Sequence, residues 1–305
     1  MVDSRGLTGA RAVAGIDLGG TLVRMAFAAC DGRIVAAARA RMAALTSPDD
    51  VVRWVVGQVR RQGGPVRSVG IGAPGLIDVE RRVLLHPPNL RGWRSVRLAA
   101  MLEEAVGCPV HLENDANLAA LAELNRGAGR GCRNLVYVTW STGVGGGLIL
   151  DGRLFVGARG LAGEIGHLVA EPDGPLCGCG QRGCLEAICG GASIERLTGV
   201  SAKQVFSRAG EGDTEAAGVV RRAARAMGNA LVTLTHLFDP DAIVIGGGVA
   251  TSAWRLVQPT LAQVLNDSPF IQPDRRPALR RALLGPRTGQ IGAVEWARIQ
   301  MVSAA

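Results

Sequence analysis

One histidine and three cysteines stand close together near the middle of the chain. They are His167, Cys177, Cys179 and Cys184. A neutral imidazole and three thiolates form a closed tetrahedral ligand set, which is typical of structural zinc. Cys189 is a possible competitor, but its spacing suits a helix that begins near Glu186. Four buried side chains without a metal are the alternative interpretation, and the pattern favours zinc.

A second cluster, Glu113-Asn114-Asp115-Ala116-Asn117, joins a predicted strand to a predicted helix. Asn and Asp are common helix N-caps, so an ordinary cap is one interpretation. The carboxylates and amides in this turn exceed what one cap requires. We expect such a cluster to hydrogen-bond sugar hydroxyls, with one carboxylate placed as a general base.

Three glycine-rich turns follow predicted strands. They are Asp17-Leu18-Gly19-Gly20-Thr21, the run from Ser141 to Gly147, and Gly246-Gly247-Gly248. Glycine lets backbone N–H groups approach phosphate oxygens closely. The first two turns therefore predict phosphate contacts, and the third is suited to lie against adenine. Asp17 is placed to hold Mg²⁺ through water. An ordinary glycine turn is the alternative for each taken alone.

The chain contains a single lysine, Lys203, in the sequence Ala-Lys-Gln. A P-loop requires Gly-Lys-Ser or Gly-Lys-Thr, so that class of nucleotide site is excluded. Three glycine turns without a P-loop favour an actin-like nucleotide cleft instead.

The predicted elements repeat along the chain. Residues 13–40 give strand, glycine turn, strand, Asp-Gly turn and strand, and the pattern restarts at about 134. Two copies of one supersecondary unit predict a duplicated α/β fold with two domains around a central cleft. We expect an N-terminal α/β domain at 1–120 and a C-terminal α/β domain at 121–289 that carries the zinc loop. The helix predicted at about 290–305 packs back on the first domain.

Composition excludes several classes of protein. The chain has 305 residues, 48% of them hydrophobic, which is enough for a sizeable core and excludes a disordered or fibrous protein. The net charge of +8 raises the question of nucleic acid, but the arginines are scattered and aromatic residues make up only 4%. A solvated arginine surface, with no nucleic-acid partner, is favoured. No apolar run reaches the roughly 18 residues of a membrane span, so we expect no membrane partner.

Seven cysteines, an odd number, suit a reducing cytoplasm and a metal site better than disulfides. Apart from Cys189 and the three cysteines near His167, the remaining cysteines are isolated from one another in the sequence. We expect Cys30, Cys108 and Cys132 to be core thiols.

These motifs together resemble the ROK family of sugar kinases and sugar-responsive repressors, and within it the glucokinases most. The matching segments are DLGGT at 17–21, ENDAN at 113–117, STGVGGG at 141–147, GEIGH at 163–167 and CGCGQRGCLE at 177–186. The resemblance covers nearly the whole chain. It implies an actin-like ATPase fold, of the ribonuclease H-like type, with a sugar site in the cleft. It also implies ATP-dependent phosphorylation of glucose at the 6-hydroxyl, with Mg²⁺ and structural Zn²⁺, by a cytoplasmic homodimer.

The resemblance implies a role for individual residues. Asp115 is the expected catalytic base. The expected sugar contacts are Gly75, Asn89, Asn114, Asp115, Glu164, His167 and Glu186. The expected nucleotide and Mg²⁺ positions are Asp17, Gly19, Gly20, Thr21, Arg24, Thr142, Gly143 and Gly247. His167 would use one ring nitrogen for zinc and the other for a sugar hydroxyl.

Two positions depart from the family pattern. Leu22 stands where a polar residue is common, and Ser141 stands where glycine is common. Both flank the expected phosphates, so polyphosphate stays open as a donor beside ATP.

Other functions share the same motifs. A kinase for N-acetylmannosamine or N-acetylglucosamine is the main alternative. A sugar-binding regulator without kinase activity is less favoured. Such a regulator carries a helix-turn-helix domain before the first strand, and we expect no room for one because that strand begins near Val13.

Overall fold

A computed structural model describes residues 12–78, 80, 82–87, 89–90 and 92–303. The strands are β1 (Ala12–Leu18), β2 (Leu22–Ala28), β3 (Ile34–Arg41), β4 (Val66–Ala73), β5 (Leu76–Asp78), β6 (Val83–His86), β7 (Val110–Asn114), β8 (Leu135–Trp140), β9 (Val144–Leu150), β10 (Arg153–Phe155), β11 (Ala242–Gly246) and β12 (Ala278–Arg281). The helices are α1 (Pro48–Gln62), α2 (Leu98–Val106), α3 (Asp115–Arg126), α4 (Leu185–Cys189), α5 (Gly191–Thr198), α6 (Ala202–Gly210), α7 (Thr214–Phe238), α8 (Gly247–Asn266) and α9 (Thr288–Ser303).

The chain divides into two compact units. The first comprises Met1–Asn125, Val156–Leu161 and Pro286–Ala305, and the second comprises Arg126–Phe155 and Ala162–Gly285. The last helix, α9, therefore belongs to the first unit.

The first unit is built on a five-stranded sheet in the order β3-β2-β1-β4-β7. β1 to β3 pair antiparallel, whereas β4 pairs parallel with both β1 and β7. Strands with alternating or continuous apolar residues bury side chains such as Ile16, Leu18 and Ile71 completely or nearly so. α9 packs against β1 and β4.

The second unit repeats this arrangement. Its sheet runs β10-β9-β8-β11-β12, again with three antiparallel strands followed by two parallel ones. Trp140 and the apolar face of α7 lie in its core. The predicted duplicated α/β fold is confirmed by these two matching strand orders.

The second glycine run differs from its prediction. The turn was expected to extend from 141 to 147, but the structure starts β9 at Val144, so three of its glycines lie within a strand. A Cβ at Gly146 would overlap the side chain of Ile165. Gly146 therefore admits a neighbouring segment against the strand rather than forming part of a turn.

α9 approaches the first sheet through glycines. A Cβ at Gly70 in β4 would overlap the carbonyl oxygen of Ala293, and one at Gly15 in β1 would overlap the backbone nitrogen of Val294. Backbone contact at two adjacent strands fixes the position of this helix.

We predict that Gly70→Ala lowers the free energy of unfolding of the protein by roughly 1–3 kcal/mol, because an extra methyl group overpacks this contact. Urea unfolding followed by tryptophan fluorescence measures the effect. The matched control is Gly57→Ala in α1, where a Cβ meets nothing within 4 Å. The control should raise stability by about 0.5–1 kcal/mol, since glycine is unfavourable inside a helix. Equal effects of the two substitutions would contradict the packing of α9.

Candidate active site

The ENDAN segment forms the junction between β7 and α3. The Asn114 Oδ1 atom accepts hydrogen bonds from the backbone N–H groups of Ala116, at 2.8 Å, and Asn117, at 3.3 Å. Asn114 therefore caps α3, as the simpler interpretation expected. Its Nδ2 also donates to the carbonyl oxygen of Gly75 at 3.3 Å. The structure thus brings two expected sugar contacts together, and it places the half-buried Asp115 at the first residue of α3.

The buried side chain of Glu113 stabilises the junction between β7 and α3, a role that the sequence did not predict. The Glu113 Oε1 atom accepts from the backbone N–H of Asn114, at 2.8 Å, and from Nδ2 of Asn117, at 2.9 Å. Glu113 is 7% exposed and Asn117 is 2% exposed. Burial raises the pKa of Glu113 above its ordinary value of 4.5, and the two hydrogen bonds oppose this shift. The spacing of a carboxylate and an amide four residues apart was the available signal.

The first glycine turn joins β1 to β2. The backbone N–H of Gly19 donates to the carbonyl oxygen of Leu22 at 3.0 Å, which closes the turn. Gly20 and Thr21 are exposed at its tip. Asn89 lies beside Gly20, where a side chain on the glycine would overlap it. An expected sugar contact and an expected phosphate position are therefore neighbours.

Asp17 and Arg24 face each other across this hairpin. Their side chains form an ion pair with 3.1 Å between Oδ2 and Nη1. Burial raises the pKa of Asp17, and the guanidinium of Arg24 opposes the shift. Gly289 packs against the carboxylate, with no room for a side chain of its own. Asp17 is therefore held in one place at the end of β1.

The second glycine turn, at 141–143, is held by the start of α5. The backbone N–H groups of Gly191 and Ala192 donate to the carbonyl oxygens of Ser141 and Thr142, each at 2.8 Å. The side chains of Ser141 and Thr142 remain exposed at the tip.

Glu186 lies directly under this turn. Its Oε2 accepts the backbone N–H of Val144 at 2.9 Å, and a Cβ at Gly143 would overlap that same oxygen. Gly143 is therefore required for Glu186 to reach the backbone. Glu186, an expected sugar contact, therefore lies against Gly143, an expected nucleotide position.

The third glycine turn lies next to the second within this unit. Gly247 has a φ of 86° and begins α8. A Cβ there would overlap the backbone of Trp140, and one at Gly248 would lie 3.5 Å from Oγ of Ser141. Two of the three predicted turns therefore form one glycine-rich surface.

The GEIGH segment packs on β9. Cβ atoms at Gly146 and Gly163 would meet each other's backbones, and one at Gly166 would overlap the carbonyl of Val144. The Oε2 atom of Glu164 lies 3.9 Å from Nε2 of His167. Burial raises the pKa of Glu164 and the Glu186 carboxylate adds to the shift, while His167 opposes it.

The predicted zinc ligands converge. The ligand atoms of His167, Cys177, Cys179 and Cys184 all lie within 4.8 Å of one another. The Sγ atoms of Cys179 and Cys184 are 3.7 Å apart, and Sγ of Cys177 is 3.8 Å from Nδ1 of His167. Zn–S bonds of about 2.3 Å place the corners of a tetrahedron about 3.8 Å apart. The donor set therefore fits zinc, with Nδ1 of the histidine toward the sulfurs and Nε2 toward Glu164.

Two neighbours define the edge of this cluster. Gln181 donates from Nε2 to the carbonyl oxygen of His167 at 3.0 Å and to Sγ of Cys184 at 3.3 Å, a support that the sequence analysis missed. Cys189, the possible competitor, instead donates its thiol to the carbonyl oxygen of Leu185 at 3.0 Å. It is buried and stays outside the cluster.

The ROK family profile matches residues 13–300. The chain belongs to the ROK family. A glucokinase from Thermotoga maritima is 35% identical over 274 residues, which cover 83% of this chain and 86% of the relative. An N-acetylmannosamine kinase from Escherichia fergusonii is 36% identical over 255 residues, covering 81% and 87%.

A solved structure extends the likeness to the fold. The ROK glucokinase from Streptomyces griseus, in complex with glucose and AMPPNP, is 34% identical and superposes with a TM-score of 0.75, covering 94% of this chain and 99% of that one. The actin-like fold predicted for this ROK protein is confirmed. Among the described residues, no helix is long and apolar enough to span a membrane.

In this ROK protein, the buried Glu113 gives a pH-dependent prediction. Because the folded-state pKa of Glu113 is raised above 4.5, its contribution to stability is present below about pH 4.5 and is lost as the pH rises through the folded pKa. Glu113→Gln retains an oxygen acceptor and cannot ionise. The free energy of unfolding of Glu113→Gln should therefore increase relative to that of the wild type as the pH rises.

Urea unfolding at several pH values between about 4 and 8 tests this expectation. Glu104→Gln, at an exposed position of α2, is the control and should follow the wild-type profile. If the free energies of unfolding of Glu113→Gln and the wild type changed with pH in parallel, ionisation of the buried Glu113 would not destabilise the folded protein, and the prediction would be wrong.

Proposed function

We propose that this protein is an ATP-dependent hexose kinase that phosphorylates glucose at the 6-hydroxyl. The observation that carries the proposal is the Streptomyces griseus relative, which is described with glucose and AMPPNP and matches this chain over nearly its whole length. Of the expected sugar and phosphate residues, Gly19 and Gly143 lie in hydrogen-bonded turns, and Asn114 and Asp115 lie at the junction of β7 and α3, which supports the same activity.

Sugar recognition is assigned to Asn114, Asp115, Glu164, His167 and Glu186. Imidazole, amide and carboxylate groups suit a ring of hydroxyls, since each unmatched buried polar group costs about 1–3 kcal/mol. Glu186 uses Oε2 on the backbone, so its Oε1 is the atom proposed for a hydroxyl.

Asp115 is proposed as the general base. It accepts the proton of the 6-hydroxyl as that oxygen attacks the γ-phosphate in line. It is the first residue of α3, at the positive end of the helix dipole. Positioning and charge neutralisation provide most of the rate in phosphoryl transfer.

The nucleotide is assigned to the glycine turns. The residues proposed to bind phosphates are Gly19, Gly20, Thr21, Arg24, Thr142 and Gly143, and Gly247 is proposed to lie against the base. Asp17 offers the carboxylate oxygen that Mg²⁺ prefers. When bound, Mg²⁺ would neutralise charge on the phosphates.

Zinc is proposed at His167, Cys177, Cys179 and Cys184. The set is closed, so the ion would be structural rather than catalytic. It would fix the imidazole of His167 and so orient Nε2 toward a sugar hydroxyl.

We further propose a cytoplasmic homodimer that feeds glucose into glycolysis. A reducing compartment keeps thiolate ligands available to the metal. Exposed apolar side chains such as Leu237 and Phe270 are candidates for a subunit contact.

A second candidate is an N-acetylmannosamine kinase. It is favoured by the Escherichia fergusonii relative, whose 36% identity is within one percentage point of the 35% identity of the Thermotoga maritima glucokinase. The decisive experiment is a coupled ADP assay with ATP against glucose, mannose, N-acetylmannosamine and N-acetylglucosamine. We expect the highest kcat/KM for glucose. A tenfold preference for an amino sugar, about 1.4 kcal/mol, would establish the alternative.

Asp115→Asn should reduce kcat by about 100- to 10,000-fold, because the base is lost. Sugar binding, measured by calorimetry, should be retained. The control is Asp49→Asn, which also removes a carboxylate in the first turn of a helix of the first unit but lies exposed on α1. Near-normal turnover of Asp115→Asn would exclude the proposed role.

The zinc proposal predicts about one equivalent of zinc per chain by elemental analysis of the freshly purified protein. Cys179→Ser should lower the zinc content and raise KM for the sugar more than it lowers kcat. Cys132→Ser, outside the cluster, should leave the zinc content and the KM for the sugar unchanged. An active protein without zinc would contradict the proposal.

A further inference from the structure

The buried side chains of Glu113 and Asn117 connect the chain on the two sides of Asp115. The Glu113 Oε1 atom accepts from the backbone N–H of Asn114 at 2.8 Å and from Nδ2 of Asn117 at 2.9 Å. Asn114 directly precedes Asp115, and Asn117 follows it by two residues. One carboxylate oxygen therefore joins the end of β7 to the first turn of α3, with Asp115 between its two partners.

The neighbouring strand β4 lies beside the same turn. Gly72 of β4 pairs with Glu113 of β7. A Cβ at Gly72 would lie 3.7 Å from Cα of Asp115 and 3.0 Å from Cδ1 of Leu118. The first turn of α3 therefore lies directly against a strand position without a side chain, and the backbone of Asp115 is held between β4 and the pair of Glu113 and Asn117.

Both members of this pair are unfavourable in a protein interior. Glu113 is 7% exposed and Asn117 is 2% exposed. A buried carboxylate loses its hydration, and the Oδ1 atom of Asn117 has no hydrogen-bond partner among the described residues. Apolar side chains at these two positions would avoid both penalties.

The start of α3 does not need this pair for its cap. Oδ1 of Asn114 already accepts from the backbone N–H groups of Ala116 and Asn117, at 2.8 Å and 3.3 Å. Such a cap is the usual way in which a helix start is stabilised. Polar groups that are unfavourable for stability and lie beside a reacting group are typical of functional sites.

We propose that Glu113 is a positioning residue for phosphoryl transfer and that it acts through Asp115. By holding Asn114 and Asn117, Glu113 keeps the carboxylate of Asp115 in the orientation that accepts the proton of the sugar hydroxyl. A displacement of about 1 Å at such a group lowers the rate by about 100-fold. The inference rests on the proposed function, in which Asp115 is the general base.

Two substitutions of Glu113 test the hydrogen bonds of its carboxylate. Glu113→Gln retains an oxygen that accepts both hydrogen bonds, so its kcat should stay close to that of the wild type. Glu113→Leu removes the acceptor and should lower kcat by about 100-fold. Its KM for ATP should not change, because the nucleotide is assigned to other residues. Equal kcat values for the two variants, measured with ATP and the preferred sugar, would overturn the proposal.

A variant at the other end of the pair gives an independent test. Asn117→Ala removes the Nδ2 donor and leaves Glu113 in place, so kcat should fall by about tenfold or more. This measurement keeps the proposal open to refutation if Glu113→Leu does not fold. A normal kcat for Asn117→Ala would show that the pair does not position Asp115.

A double-mutant cycle with Asp115→Asn separates positioning from a general loss of structure. Asp115→Asn already lacks the base, so adding Glu113→Leu should lower its residual kcat by only about twofold or less. A structural defect would lower kcat by the same factor in both backgrounds, and that result would overturn the proposal. Transfer of labelled phosphate from ATP to the sugar, at high enzyme concentration, measures the residual rates.

Hydrogen exchange reports the positioning without substrate. In Glu113→Leu, the peptide that spans the junction of β7 and α3 should exchange faster, because the N–H of Asn114 loses its acceptor. Val55→Ala, which removes buried methyl groups from α1 of the same unit, is the matched control. It should lower the free energy of unfolding and leave kcat unchanged. Unchanged exchange in Glu113→Leu would contradict the proposal.

The two possible failures give different results. Normal turnover of Asp115→Asn would overturn the proposed general base, and this inference with it. Loss of turnover in Asp115→Asn, together with normal turnover in Glu113→Leu, would overturn this inference alone.

Discussion

The hydrogen bond from the backbone of Val144 to the carboxylate of Glu186 connects the glycine turn at 141–143 and the start of β9 to α4 of the second unit. Glu186 stands two residues after Cys184, at the start of α4, so it belongs to the cysteine loop in sequence. Its oxygen lies under the glycine turn at 141–143. The loop therefore contacts one side of that turn, and the backbone N–H groups of Gly191 and Ala192 hold the turn from α5.

Glycine makes this arrangement possible at several points. Gly143 leaves room for the carboxylate, and Gly146 leaves room for Ile165, which is buried in the core. Gly166 in turn lies on the backbone of Val144. A side chain at Gly146 or Gly166 would separate the GEIGH segment from β9. The segment is therefore seated by backbone contact, while one apolar side chain provides the burial.

The sequence predicted those features that depend on local pattern. The duplicated strands, the cap at Asn114 and the convergence of His167 with three cysteines follow from apolar periodicity and from ligand chemistry. It did not predict the start of β9, because glycines in a strand and glycines in a turn have the same letters. It also missed Glu113 and Gln181, whose partners are the backbone and side chains around a site. Such supports become visible only when burial and distances are known.

The two hairpins share a backbone but differ in chemistry. Asp17 pairs with Arg24 across β1 and β2, and the corresponding pair across β8 and β9, one step from the strand end, is Thr139 with Gly145. The first hairpin therefore carries an ion pair and a partly buried carboxylate, while the second carries exposed hydroxyls and bare backbone. The carboxylate of the first hairpin is balanced by the guanidinium of Arg24, whereas the second hairpin offers hydroxyl and backbone donors that carry no charge. Duplication has preserved the strand order of the two sheets, while the side chains at corresponding positions of the two hairpins differ in charge.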